Sequence, residues 1–385
     1  MFRDRSDRHL TSAKAAELNC TYLQPDDVLV ARMPDPLGRA CMFPRRLGKF
    51  VTVVDVAVIR PGSGSVDPSW LMWSINSPQA SSQIDEHQSG TTRKRISRKN
   101  LARVKLAVPP LAEQSRIVAA IEEHFSRLDA VESTQRQIIR KIDILKSSLL
   151  ADAFRMNGDL PPGWQQKTIG EVAQVQLGRQ RSPQHHSGPQ MRPYLRSANV
   201  TWEGISLDDV KQMNFDDADF ETYRLEPGDL LLNEASGSPG EVGKPAIWEG
   251  EIENCCFQNT LLRIRTAEVY IKYLYWYSFA SALSGRFGDA GRGVNIRHLG
   301  KRGLSQFPIP IAPREEQGEI AVRLDQQFEQ AKRLKQTAQL VLDRVTALRR
   351  AVLAQAFSGR LVPQDLNDEP ASALLHRIAA TRQPA

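Results

Sequence analysis

Several features that mark secreted, membrane or metal-binding proteins are missing from this sequence of 385 residues. It has only four cysteines, none with the CxxC or Cys/His spacing of a zinc finger, so we expect neither a zinc site nor a disulfide framework. No apolar run approaches the ~18 residues of a membrane span, and the opening MFRDRSDRHL is charged where a signal peptide would be apolar. We therefore expect a cytoplasmic protein.

Catalytic signatures are missing as well. The GxxGxG at 288–293 lacks the preceding strand and following helix of a dinucleotide site, and we interpret it as a loop. In SPGEVGKP only Gly243-Lys244 matches a phosphate-binding loop, since Ser238 stands in place of the first Gly and Pro245 follows the Lys. Neither Pro-Pro pair precedes an aromatic residue, as a methyltransferase would need to hold a flipped base, and no metal-dependent nuclease pattern is found. His185 and His186 have no partner at ligand spacing, so we expect a chain without catalytic activity.

An internal duplication is the main positive feature of the sequence. Residues 96–154 align without a gap with residues 299–357, and the offset is that between Gln114 and Gln317 (317 − 114 = 203). Identity is modest, but the apolar positions coincide throughout, which indicates a repeat. Each copy lacks Gly and Pro for about 40 residues, so each predicts a helix roughly 60 Å long.

Apolar residues in both predicted helices recur in alternating steps of four and three, the heptad pattern of a coiled coil. A long helix with one narrow apolar stripe needs a partner, and two tandem copies related by a pseudo-twofold axis would pair antiparallel. A long helix without specific pairing is the alternative. We interpret His124 and Gln327 as register-setting or solvent-edge positions rather than metal ligands. The predicted seam consists of Ile117, Ile121, Leu128, Ile138, Ile142, Leu145, Leu149, Ile320, Leu324, Leu334, Val341, Val345, Leu348 and Val352.

The sequence predicts an α+β protein in which two similar globular α/β domains are separated by two long helices that pair as an antiparallel coiled coil. The predicted segments are a first domain at 1–105, the first helix with its linker at 106–158, a second domain at 159–308, the second helix at 309–358 and a tail at 359–385.

The two globular segments repeat each other in outline. YRLEPGDLLLNEAS at 223 aligns with TYLQPDDVLVARM at 21, GKPAIW at 243 with GRACMF at 38, and FQNTLLRIR at 257 with TVVDVAVIR at 52. These stretches predict strands, and the apolar stretches near Trp70 and at 271–279 predict helices. Each segment then carries a basic, Gly-bearing loop before its long helix, SGTTRKRISRKNL at 89 and GDAGRGVNIRHLGKRGL at 288. Such a loop is either a solvated surface or a segment that lies along a phosphate backbone.

The net charge of +7, from 51 Lys and Arg against 44 Asp and Glu, suggests a polyanionic partner. The order of segments in the chain resembles the specificity subunits of type I restriction-modification systems. That order is a domain, VPPLAEQ at 108, a long helix, a second domain, IPIAPREEQ at 309 and a second long helix. The tail FSGRLVPQDLNDEPASALLHRI is similar to the C-terminal signature of that family. The resemblance extends from residue 21 to residue 378.

This resemblance implies that each globular region is a target recognition domain for one half of a split, asymmetric sequence in double-stranded DNA. It also implies that the helices act as a ruler and dock two modification (methyltransferase) subunits, which restriction subunits then join. Two readers at a fixed separation would contact only DNA segments spaced on the order of one helical turn, about 34 Å. The chain itself would need no cofactor, whereas the assembled complex would use S-adenosylmethionine, and ATP with Mg²⁺ for restriction.

In DNA-binding domains Arg and Lys neutralise phosphates, while Asn, Gln or Arg read base edges. Residues 164–203, which include VQLGRQRSP and YLRSANV, have no counterpart in the first domain. We therefore expect the first domain to fold poorly or to read its half-site weakly, and an upstream extension, if coding sequence exists there, to raise DNA affinity. The candidate DNA contacts are Arg32, Arg39, Arg93, Arg95 and Lys99 in the first domain, and Arg179, Arg181, Arg196, Lys244, Arg292, Asn295 and Arg297 in the second.

A non-catalytic coiled-coil scaffold with protein-binding globular ends is the alternative function. The two functions differ in salt dependence, because a DNA reader loses affinity steeply as salt rises, whereas a scaffold would not bind duplex DNA. A fused restriction-methylation enzyme would need catalytic motifs that this sequence lacks.

Overall fold

The computed structural model describes residues 9–34, 37–45, 48–52, 55–62, 64–90, 94–156, 159–236, 241–290 and 297–381. The chain divides into two compact units. Unit 1 comprises residues 1–137 and 338–385, and unit 2 comprises residues 138–337. Each unit therefore contains one globular domain and part of both long helices, a division that differs from the predicted one, in which each helix was a segment of its own.

Unit 1 is built on a small antiparallel sheet with strand order β2-β1-β3 among the described residues. Asp67 and Ser77 cap α2 and α3 by accepting hydrogen bonds from backbone N–H groups three residues later, and a proline follows each cap. Val28 and Val30 are fully buried against Trp70. The elements are α1 (Ser12–Glu17), β1 (Val28–Ala31), β2 (Ala40–Met42), β3 (Val56–Ile59), α2 (Pro68–Ile75), α3 (Pro78–Glu86), α4 (Arg98–Leu101) and the first long helix, α5 (Leu111–Ala153).

Unit 2 has a larger domain whose main sheet has the order β12-β10-β14-β5. Its elements are β4 (Gln165–Thr168), α6 (Ile169–Val172), β5 (Gln174–Leu177), β6 (Met191–Leu195), β7 (Val200–Thr201), β8 (Gly204–Ile205), β9 (Lys211–Asn214), α7 (Asp217–Tyr223), β10 (Leu230–Asn233), β11 (Ala235–Ser236), β12 (Pro245–Ile247), β13 (Cys256–Phe257), β14 (Leu261–Arg265), α8 (Ile271–Leu283), α9 (Arg286–Ala290), β15 (Arg297–His298), α10 (Gly300–Ser305) and β16 (Pro308–Ile311). The second long helix, α11 (Arg314–Ala356), and α12 (Ala371–Thr381) complete the chain.

The strand pairings show that each domain contains the same arrangement of core strands. Val28 of β1 lies opposite Met42 and Ile59. Leu230 of β10, its counterpart in the sequence alignment, lies opposite Ile247 of β12 and Ile264 of β14. The predicted strands and their alignment are therefore confirmed. Strand β5, which extends the sheet of unit 2 beyond β14, comes from the front segment that has no counterpart in the first domain.

Both long helices begin in the same way. The side chain of Gln114, at the start of α5, accepts a hydrogen bond from the backbone N–H of Asp67 and donates one to the carbonyl of Pro109, both at 2.8 Å. Gln317, in α11, accepts from the N–H of Tyr270 at 2.9 Å and donates to the carbonyl of Ala312 at 2.8 Å. Both amides are buried. The repeated glutamine thus ties each helix start to the globular domain that precedes it.

In unit 1 the portions of the two long helices run antiparallel. Arg349 in α11 forms ion pairs with Asp129 and Glu132 in α5. Further along α11, Leu353 shares a core cluster with Ile121, which lies earlier in α5. Later residues of one helix therefore meet earlier residues of the other.

The helix portions of unit 2 have the same direction. Lys335 in α11 lies 3.0 Å from Asp143 in α5. Toward the start of α11, Leu324 shares a core cluster with Leu150 near the end of α5. The contacts within each unit agree with the predicted antiparallel pairing.

Ten of the fourteen predicted seam residues are buried or half-buried in the structure, and four are exposed. Ile117, Ile121, Ile142, Ile320, Leu324 and Val345 are buried, and Leu128, Leu149, Val341 and Val352 are half-buried. Ile138, Leu145, Leu334 and Leu348 are instead exposed. One residue further along, Ile139, Lys146 and Arg349 are half-buried. The shift has a physical reason, because charged side chains with apolar stems pack at these layers and a count of apolar residues does not register them. His124 is exposed, as a solvent-edge residue would be, and Gln327 is half-buried.

Candidate nucleic-acid interface

In both units the end of the central strand holds the base of the basic loop. In unit 2 the carbonyl of Glu234, just after β10, accepts a hydrogen bond from the N–H of Leu299 at 2.9 Å. Strand β11 pairs with β15, which places Ser236 opposite Arg297. In unit 1 the carbonyl of Arg32 accepts from the N–H of Ile96 at 3.0 Å. The duplication therefore presents one basic loop at the same sheet position in each domain.

Arg32, Arg39 and Arg95 of the first domain lie at or near this strand end. Arg32 is half-buried, and its Nε donates to the carbonyl of Ile96 at 3.0 Å, so its side chain also holds the loop base. Arg39, Arg95 and Lys99 are exposed. Arg93 lies outside the described residues. The exposed cations are free of the core and able to meet a polyanion.

Three candidates of the second domain are held by neighbouring side chains of the protein. Arg179 is only 8% exposed, forms an ion pair with Asp219, and lies 5.1 Å from the ring centroid of Phe215. This burial indicates a structural role, and DNA contact by Arg179 stays a prediction. Arg196 pairs with Asp209 at 2.5 Å. The ammonium of Lys244 binds Glu241 and lies over the ring of Trp202.

Of the other candidates of the second domain, the structure describes Arg181 and the backbone of Arg297. Arg181 is exposed just after the buried Arg179. Arg292 and Asn295 lie outside the described residues, and Arg297 is described only by its backbone, in β15. The structure therefore brings Arg297 to the strand end and places Arg179 elsewhere, in the interior.

Polar residues at the end of β10 were missed by the sequence analysis. The Nδ1 atom of His298 lies 3.0 Å from a carboxylate oxygen of Glu234. Asn233 is buried, and its side-chain oxygen has no hydrogen-bond partner among the described residues. The signal was the change from the apolar run of β10 to polar residues, since polar groups that follow a buried strand are often functional.

Neither a metal site nor a membrane span is found in the part of the chain that the structure describes. There, His, Cys, Asp and Glu side chains nowhere gather in a group of three or more that could hold a metal ion. No helix of the same residues combines the length and the hydropathy that a membrane crossing needs.

Comparison with known proteins gives relatives for both halves of the chain. The model of the family described as "Type I restriction modification DNA specificity domain" matches residues 12–141 and 161–342. The EcoKI specificity subunit of the type I restriction enzyme from Escherichia coli K12 is 24% identical over 72% of this chain. That alignment spans 64% of the relative, less than two thirds of its length. The StySPI specificity subunit from Salmonella potsdam is also 24% identical, over 82% of this chain and 72% of its own.

Solved structures share the fold. A chain from work described as "Structural basis underlying complex assembly and conformational transition of the type I R-M system" superposes with a TM-score of 0.75 at 22% identity, over 88% of this chain and 83% of that one. The HsdS subunit from Thermoanaerobacter tengcongensis gives 0.54 at 23% identity, over 88% and 82%. Because the family model covers both globular domains and most of both long helices, this chain belongs to the type I restriction-modification DNA specificity domain family.

Proposed function

We propose that this chain is the DNA sequence-specificity subunit of a type I restriction-modification complex and has no catalytic activity of its own. Each globular domain reads one half of a bipartite target in double-stranded DNA. The two long helices fix the spacing between the half-sites and dock two methyltransferase subunits, and restriction subunits join that core.

The observation that carries this proposal is the repetition of a basic loop at one sheet position. In each unit the residue that follows the central strand, Arg32 or Glu234, fixes the segment that ends the loop through a backbone hydrogen bond. One basic loop is weak support, since most charged loops are only solvated. Two such loops, at the same position in two equivalent domains of a family of DNA specificity domains, support two related DNA-recognition domains.

We assign DNA contact to the exposed or loop candidates and a supporting role to the partnered ones. Arg39, Arg95, Lys99 and Arg181 are exposed and neutralise phosphates, and the loop residues Arg93, Arg292, Asn295 and Arg297 contact phosphates or base edges. Arg32, Arg179, Arg196 and Lys244 hold the surrounding backbone and side chains in place, through the hydrogen bonds and ion pairs described above.

The catalytic chemistry then belongs to the partners. The methyltransferase subunits use S-adenosylmethionine, and the restriction subunits use ATP with Mg²⁺. Nothing in this chain needs to bind either cofactor for it to select the target.

The test is a map of methylated adenines in cells that carry the complete system, with and without this chain. We expect a split motif with a fixed spacer that disappears when this chain is removed. The purified chain, or its complex with the methyltransferase subunits, should also lose affinity for duplex DNA steeply as salt rises. An unchanged methylation map together with the absence of duplex binding would favour the coiled-coil scaffold instead.

A further inference from the structure

The strand end of unit 2 carries a carboxylate–imidazole pair that holds the ring of His298 in one orientation. The Nδ1 atom of His298 lies 3.0 Å and 3.3 Å from the two carboxylate oxygens of Glu234. An ionised carboxylate only accepts hydrogen bonds, so Nδ1 carries the hydrogen in this pair. The side chain of Glu234 is 13% exposed, whereas that of His298 is 56% exposed. The pair therefore fixes the imidazole from the protein side and leaves the rest of the ring accessible.

The other ring nitrogen of His298 becomes a hydrogen-bond acceptor. In a neutral imidazole one nitrogen donates and the other accepts, so a hydrogen on Nδ1 makes Nε2 the acceptor. Among the described residues, Nε2 has no hydrogen-bond partner. Such an acceptor suits an amino group of a ligand. It does not suit a phosphate, because phosphate oxygens are acceptors themselves.

The side-chain pair is not needed to join the two strands. The backbone N–H of Leu299 already donates to the carbonyl of Glu234 at 2.9 Å, and the pairing of β11 with β15 places Ala235 opposite His298. Unit 1 makes the same backbone connection, between Ile96 and Arg32, without a carboxylate–imidazole pair. The pair in unit 2 therefore adds a chemical feature that the shared fold does not require.

The duplication shows what stands at this place in unit 1. At the offset of 203 the counterpart of His298 is Arg95, and the shared backbone hydrogen bond makes Arg32 the counterpart of Glu234. Arg95 is exposed, and a guanidinium has donors but no acceptor. The same sheet position thus presents a cation suited to a phosphate in unit 1 and an acceptor suited to an amino group in unit 2.

We propose that His298 is a specificity-determining residue, whose Nε2 accepts a hydrogen bond from the exocyclic amino group of an adenine or a cytosine in the major groove. Glu234 is the positioning residue that keeps the hydrogen on Nδ1. Adenine and cytosine present an amino donor in that groove, whereas guanine and thymine present acceptors. The contact therefore selects adenine or cytosine at one position of one half-site. This inference rests on the proposed function, which supplies the DNA.

The first test is His298→Arg, which places the residue type of unit 1 in unit 2. Arginine cannot accept from an amino group, so the requirement for adenine or cytosine should disappear at one position of the methylated motif. The other half-site and the spacer should stay unchanged. With duplexes that differ only at that position, discrimination should fall about tenfold or more. The added cation should also steepen the slope of log affinity against log salt by about 1.

The second test is Glu234→Gln, which removes the constraint on the ring. The amide of glutamine can donate to Nδ1 as well as accept from it, so Nε2 can carry the hydrogen. We expect the selected position to admit guanine or thymine in addition. Nitrogen NMR of the imidazole should show the hydrogen on Nδ1 in the wild type and both tautomers in the variant. A merely structural role for Glu234 would lower the thermal midpoint without changing the base at that position.

The control is His376→Arg, the same change of residue type at an exposed position of α12, and it should keep the wild-type motif. An unchanged motif in the His298→Arg variant, or a hydrogen on Nε2 in the wild type, would overturn the inference. A changed salt slope of that variant with every base requirement intact would assign His298 to phosphate contact and overturn it as well. If the wild type itself yielded no split motif, the proposed function would fail first and this inference with it.

Discussion

Units 1 and 2 share a scaffold but differ in how they place charge. Asp27 and Asp229, in the turns before β1 and β10, are both buried and both receive two hydrogen bonds from one arginine, Arg60 or Arg265. Backbone register and helix starts repeat in the same way. The charges between the helices do not repeat, because acids in unit 1 are replaced by lysines in unit 2. The comparison teaches that the duplication preserved the fold, whereas the surfaces diverged toward different contacts.

The largest effect should come from the matched glycines of the two sheets. Gly38 and Gly243 precede β2 and β12 with φ of +77° and +76°. A Cβ at Gly243 would lie 2.1 Å from a ring carbon of Phe287, whereas one at Gly38 would lie 2.9 Å from the end of the Ile84 side chain. We expect Gly243→Ala to destabilise the protein by about 4 kcal/mol and Gly38→Ala by about 1–2 kcal/mol. Hydrogen exchange of β10 and β1 measures the two units separately, and equal losses would refute the difference in packing.

The repeated glutamines should show equal effects. Gln114→Ala and Gln317→Ala each remove one hydrogen bond accepted from a backbone N–H and one donated to a backbone carbonyl, so each should cost about 2 kcal/mol. Urea unfolding measures both, and Gln339→Ala is the control, since this side chain is exposed and donates a hydrogen bond to Asp343 on the same helix. A large cost for one glutamine alone would mean that the two helix starts are not equivalent.

The pH dependence of unit 1 should reveal its turn carboxylate. Burial alone would raise the pKa of Asp27, but hydrogen bonds from Arg60 and from the N–H of Gln24, with the charge of Arg60, hold that pKa below its ordinary value. The unfolded state therefore takes up a proton first as the pH falls. The stabilisation is complete above about pH 4–5 and is lost below it.

Asp27→Asn removes this stabilisation. Because the side chain of Arg60 is 41% exposed, we expect a cost of only about 1–2 kcal/mol at pH 7. The measurement is the urea midpoint of wild type and variant between pH 7 and pH 3. The difference between the two proteins should shrink as the pH falls, and a constant difference would show that Asp27 does not titrate as described.

The smallest effect should come from exposed cations of unit 1, Arg95 in its basic loop and Arg39 just before β2. Arg39→Ala or Arg95→Ala removes one phosphate contact, so the slope of log affinity against log salt should fall by about 1 for each. Gel-shift titration over a series of salt concentrations measures this slope. Arg127→Ala is the control, since Arg127 is exposed on α5 and pairs with Glu123. If the Arg39 and Arg95 variants kept the wild-type slope, these residues would not contact phosphates.

Much of the fold was predictable because it depends on local patterns and on repetition. The absence of Gly and Pro and the period of the apolar residues predicted both long helices. The alignment of TYLQPDDVLV with YRLEPGDLLL predicted the central strands. The phase of the helix contacts was predicted wrongly at Ile138, Leu145, Leu334 and Leu348, which are exposed. A period of three and four can be placed in two ways on such a helix, and the residues that decide, such as Lys146 and Arg349, are charged.

The candidate site was harder to predict than the fold. Arg179 and Lys244 are of residue types that commonly contact DNA. The sequence did not show that Asp219 binds Arg179 or that Glu241 binds Lys244. Asp219 is remote in the chain, and only the fold brings it to Arg179. The importance of Glu234 likewise depends on the position of its strand next to β15.

The central claim is that the two long helices fix the spacing between the half-sites. A heptad inserted in both helices tests it most directly. Seven residues added between positions 137 and 138 and again between positions 337 and 338 would lengthen each helix by about 10 Å without changing the phase of its apolar stripe. The measurement is the map of methylated adenines in cells that carry this variant. We predict the same two half-sites with a spacer about three base pairs longer. An unchanged spacer, or a continuous motif in wild type and variant alike, would contradict the account.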